Sequence, residues 1–139
     1  MSDPLSRLLQ QDRRYRREAY IFVRQALAYA QTVLGMGEHK ESVDVEAEPQ
    51  QHLSGQQLCE AIRSFALDQF GLLAKVVLNT WGLRTTSDFG EIVYNLIGIG
   101  EMKKSRSDRR EDFDGVFDFE DAFQRRFQLT IAPSKPTQE

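Results

Sequence analysis

Asp88-Phe89-Gly90 spells the magnesium-binding triplet of protein kinases, and a glycine pair, Gly98 and Gly100, follows shortly after it. The first would hold a metal on nucleotide phosphates, and the second would cradle the phosphates themselves. Neither has its context. A kinase triplet needs an upstream catalytic loop, a strand lysine and a glycine-rich loop spread over a far longer chain. Phosphate-binding glycines follow a strand and open a helix, whereas Gly98 and Gly100 end a helical pattern, where the dipole repels anions. Both features therefore read as helix punctuation.

Five cations, Lys103, Lys104, Arg106, Arg109 and Arg110, share a short run with three acids, Asp108, Glu111 and Asp112. They are the candidate contacts for nucleic acid or another anion. Two short strands, "EMKKS" and "GVF", would place them on a β-hairpin over 101–117, and a helix followed by a hairpin resembles the order of winged-helix domains. The helix before the hairpin would enter the major groove. Its polar face offers Asp88, Glu91 and Asn95, and its two carboxylates would repel phosphates. Nucleic-acid binding is accordingly the second reading.

A further basic cluster, Arg13, Arg14, Arg16 and Arg17, opens the first long helical pattern. Cations there oppose the helix dipole by about 0.3–1 kcal/mol each, so they call for acidic partners. The acidic segments 38–48 and 111–121 are internal candidates, and an acidic protein partner is the external one. A second copy of the chain is one such partner. Packed antiparallel, it would set each arginine cluster against the other's Glu38, Glu41, Asp44, Glu46 and Glu48, charges that one helix of about 30 Å holds apart within a chain.

The remaining chemistry is thin. Asp112, Asp114 and Asp121 around Gly115 approach a calcium loop, but the first ligand position is Arg110 and the closing residue is not Glu. Asp118 and Asp121 serve better as helix caps. Cys59 sits at the edge of a buried face, where free cysteine packs as a small hydrophobe. His39 and His52 are the only histidines, and a Cys59–His52 pair lacks a third orienting group. The expectation is no catalytic residue, metal ligand or cofactor.

The elements that position these residues are helices. Asp3 before Pro4 is a helix start. Ala19, Phe22, Val23, Ala26, Leu27, Ala30, Val33 and Leu34 make one apolar stripe in a helix over 13–34, stopped by Gly35. Residues 36–52 read as an acidic loop, with an edge strand at Val43–Ala47 as the alternative. Ser54 with Gln57 forms a capping box ahead of Leu58, Ala61, Ile62, Phe65, Ala66 and Phe70. After the break at Gly71, "LLAKVVLNTWG" is apolar nearly all round, which predicts a helix at the core centre with Trp81 buried beside it. A threonine or serine at 85–87 caps the helix of Phe89, Ile92, Val93, Leu96 and Ile97. Asp118 starts a last helix with Ala122, Phe123 and Phe127.

At 139 residues the chain makes one domain, over 1–130, with 131–139 a disordered tail. Such a chain buries roughly 68% of its unfolded surface, enough for its own core. A net charge of −3 argues against a strongly basic nucleic-acid protein. A lone cysteine excludes an intrachain disulfide, and no apolar run approaches a membrane span. The fold expected is mainly α (α+β): about five helices with a small C-terminal hairpin.

Taken together, several blocks resemble a conserved hypothetical bacterial family restricted to the planctomycete–verrucomicrobial lineage. They are Phe22 to Tyr29, the helix start Ser54-Gly55-Gln56, then Phe70, Gly71, Ala74, Val77, Leu78, Trp81 and Gly82. Asp88 to Val93, Arg110 to Phe113 and Asp118-Phe119 complete the set. The resemblance spans about residues 15–125. It implies a discrete one-domain protein and transfers no catalytic or binding residue. Lys103, Lys104 and Arg106 fall where such a family is expected to vary. The function expected is that of a non-catalytic cytoplasmic binding or regulatory module acting through protein–protein contacts, with winged-helix-like nucleic-acid binding through 101–117 as the alternative.

Overall fold

A computed structural model of the chain describes residues 3–33, 35, 53–104 and 108–125. It is mainly helical, with α1 (Pro4–Gln11), α2 (Arg17–Thr32), α3 (Gly55–Phe70), α4 (Ala74–Thr80) and α5 (Thr86–Gly98). Among the described residues there is no strand. The hairpin expected over 101–117 is unconfirmed: residues 105–107 lie outside the described residues, and the described part carries a 3-10 turn at Arg110–Phe113. The loop expected at 36–52, with its strand alternative, and the tail at 131–139 lie outside the described residues.

Local signals set most helix ends. Asp3 accepts the Ser6 N–H at 2.8 Å beside Pro4. Ser54 and Gln57 close their capping box at 3.0 Å in both directions. Both α4 and α5 end in Schellman motifs: Leu83 N–H reaches Leu78 C=O and Gly82 reaches Asn79, while Glu101 reaches Leu96 and Gly100 reaches Ile97. The residues after each C-cap, Gly82 and Gly100, hold φ of +100° and +81°.

Two expectations are corrected. The helix predicted from residue 13 begins at Arg17, with Arg16 as N-cap. Residues 12–16 are held out of helix from both sides. The Asp12 carboxylate takes the Arg14 N–H at 3.2 Å, and Arg16 N–H donates to the Trp81 carbonyl at 3.1 Å. Arg13 and Arg14 thus precede the helix rather than stacking on its first turn.

The apolar stretch after Gly71 is not central. A 3-10 turn (Gly71–Leu73) leads into α4, whose buried residues are Ala74 and Leu78, while Leu72, Leu73 and Val76 are 56, 63 and 58% exposed. Trp81 is half-buried. The centre belongs to α2, α3 and α5, where Tyr20, Val23, Ile62, Phe89, Ile92 and Leu96 are fully enclosed. Behind α5, Phe89 meets Phe119 at 5.5 Å between ring centroids, and Phe119 meets Phe123 at 5.1 Å. The last described turn, Asp121–Arg125, buries Ala122 and Phe123; Phe127 lies beyond it.

Candidate functional site

The kinase-like triplet is structural. Asp88 caps α5, its carboxylate accepting from the Arg84 and Thr85 N–H groups at 2.8 and 3.1 Å. It also accepts from the Tyr15 hydroxyl at 2.6 Å, which ties the 12–16 linker to α5. Phe89 is wholly buried. Gly90 is more constrained than a first-turn glycine need be, because an added Cβ would lie 2.9 Å from the Phe113 ring.

Around that contact runs a polar network. Arg14 donates to Asp12 at 2.7 Å and to Glu91 at 3.1 Å, and Arg110 reaches both Glu91 oxygens at 3.0 Å. Asn95 donates to Asp12 at 3.1 Å and to the Tyr20 hydroxyl at 3.0 Å. The Arg14 guanidinium holds Asp12 well below the usual carboxylate range. Burial, then the bond to Asp88, raises the Tyr15 phenol, and burial raises Tyr20. Arg14 therefore finds partners inside the chain at Asp12 and Glu91; of the acidic segments the sequence suggested, 38–48 lies outside the described residues.

The other candidates separate. Burial pushes the Cys59 thiol up, which disfavours the thiolate; His39 and His52 lie outside the described residues. Asp112 accepts the Arg109 N–H, Asp114 the Ser87 hydroxyl, and Asp118 the Asp121 N–H as the expected cap. Lys103, Lys104 and Arg109 are exposed, Arg106 lies outside the described residues, and Arg110 is spent on Glu91 and on the Tyr94 ring, 4.9 Å away. Glu91 on Arg110, and Asp108, Glu111 and Asp112 in the same run, set acids among these cations, so no measurable duplex DNA binding is expected at physiological salt. Submicromolar binding abolished by Lys103→Glu/Arg106→Glu in a titration would reverse that expectation.

Two concavities stand out among the described residues. The larger, about 630 Å³, lies among α2, α3, α5 and residues 100–103 and 108–113, with apolar lining that includes Leu27, Leu58 and Ile97. The Tyr94 hydroxyl at its edge is shielded from solvent and has no hydrogen-bond partner among the described residues, and burial raises its pKa. Gln31, Lys103 and Asp108 on the rim are already partnered.

The smaller, about 220 Å³, is a groove with Glu18, Ile21, Phe22 and Gln25 of α2 along one side. Phe65, Gln69 and Phe70 of α3, with Trp81, form the other. The spacing i, i+3, i+4, i+7 aims one stripe of α2 into it. Phe22 is the hub, with ring centroids 5.0, 5.7 and 5.4 Å from Phe65, Phe70 and Trp81. Sequence reasoning assigned these aromatics to the core. Ile21, off the predicted stripe and 40% exposed, was the one signal that this flank of α2 stays open.

No family model, curated protein or solved structure matches this chain. The functional reading therefore rests on this surface alone.

Proposed function

We propose that the chain is a non-catalytic binding module acting through protein–protein contacts, and that the Trp81 groove is where the partner seats. The observation that carries this is the aromatic cluster left open on one side. Phe22, Phe65, Phe70 and Trp81 supply stacked apolar walls, with the amides of Gln25 and Gln69 at the lip. Interfaces concentrate affinity in such arrangements: a desolvated aromatic centre within a polar rim, the partner inserting one large side chain. The groove's volume suits one such anchor rather than a drug-sized ligand. In this reading the buried thiol and the capping carboxylates are structural.

Trp81 is the chain's one tryptophan, so its emission reports the groove directly. Random peptides displayed and selected on the protein should share a large apolar anchor, shift Trp81 emission, and bind Ile21→Glu at least about tenfold more weakly, the loss of one hot-spot contact. Selected peptides that leave the emission unchanged and bind Ile21→Glu like the parent would place the contact elsewhere.

A further inference from the structure

The groove opens beside the arginine run. Arg16 N–H donates to the Trp81 carbonyl at 3.1 Å, so the N-terminus of α2 and the aromatic wall are joined by the backbone itself. Arg13, Arg16 and Arg17 are exposed. Arg17 gives one N–H to the Ser6 hydroxyl at 2.9 Å, and Arg13 and Arg16 carry no ion pair among the described residues. Arg14 is excluded from this set by its bonds to Asp12 and Glu91. The positive end of the 16-residue α2 adds to the same field. Against these stand Glu18, which lines the groove and follows Arg17 in the chain, Asp68 next to Gln69, and Asp3, which interacts with Arg17.

We infer that the partner is an acidic peptide segment carrying a large apolar anchor, which inserts the anchor beside Trp81 and lays its carboxylates along Arg13, Arg16 and Arg17. This rests on the groove being the binding site and adds the charge of what binds. Arg16 and Arg17, at the N-cap and first position of α2, oppose that helix's dipole; an acidic ligand relieves the conflict. The bidentate fork of each guanidinium suits carboxylates. The anchor supplies most of the affinity, while the charges supply orientation and rate.

Three synthetic peptides without tryptophan decide the matter, read by Trp81 emission on the full chain. One carries a Leu-Phe pair within a run of Asp and Glu, a second replaces that pair by Ser-Ser, and a third sets the pair among Lys and Arg. The first should bind, and the other two should bind at least about tenfold more weakly. Arg16→Glu should weaken the first peptide about fivefold or more and flatten its salt dependence, since exposed charges are screened within about 10 Å at 0.1 M salt. Equal binding of the acidic and basic anchored peptides would overturn the charge preference and leave the groove standing. Silence from both anchored peptides would remove the groove as well. Emission that shifts with salt before any peptide is added would show the chain's own acidic residues on this face. The same shift appearing only at higher protein concentration would identify a second copy. Either result sinks the inference.

Discussion

Gly82→Ala is expected to cost about 3 kcal/mol or more and to lower the melting temperature by roughly 10 °C, because two penalties coincide. Gly82 ends α4 at φ +100°, a conformation that strains any residue with a Cβ. That Cβ would also overlap the Arg14 carbonyl oxygen and sit 3.1 Å from the Tyr15 ring. Backbone cannot yield as a flexible side chain would, so the 12–16 linker must leave α4. Gly98→Ala is the control: nothing lies within 4 Å of its added Cβ, and it ends a helix. It should be neutral or stabilise by up to about 1 kcal/mol. Circular dichroism melts of both variants are the measurement, and equal midpoints would show the Gly82 contact to be absent in solution.

Phe89→Ala should be comparably severe, at about 3–5 kcal/mol. The ring has no exposure, and Phe117 and Phe119 pack on it with centroids 6.3 and 5.5 Å away. The neighbouring rings are held against one another and against Phe123, so they cannot readily collapse into the space. Trp81→Ala, which a central position would have made equally costly, should cost clearly less, since half-burial in the groove removes less surface from water. Urea unfolding midpoints rank the two. If Trp81→Ala proves the more damaging, the groove is core rather than surface.

Which parts of this fold could be read from the chain follows from where the deciding forces act. The caps at Asp3 and Ser54, the stripe from Ala19 to Ala30 and the stop at Gly100 depend on residues within one or two turns, so spacing reveals them. The break at 12–16 has no glycine or proline to announce it. It exists because Tyr15 bonds Asp88 and Arg16 bonds Trp81, both far along the chain. In α4 the pattern was ambiguous in principle: apolar on every side says that no face is polar, not which faces are covered. Leu73 and Val76 stayed outside because α4 is only two turns long and lies on the flank of α3. The candidate site inherited that ambiguity. Phe22, Phe65 and Phe70 occupy correct core periodicities, and only the seating of Trp81 opens a groove among them. The arginines were visible as a cluster, but the diversion of Arg14 to Glu91 was set by α5.

The ties of the 12–16 linker also have a consequence in time. Tyr15 and Asp88 are 73 residues apart, and Asn95 and Asp12 are 83 apart. A ribosome adding about 5–20 residues per second takes roughly 4–17 s to supply those partners after the linker has been made. For most of that wait α2 has neither the Trp81 carbonyl at its N-cap nor α5 against its buried face. The amino-terminal quarter of the chain is therefore made first and locked last. During synthesis its aromatic side chains are exposed to whatever meets the nascent chain.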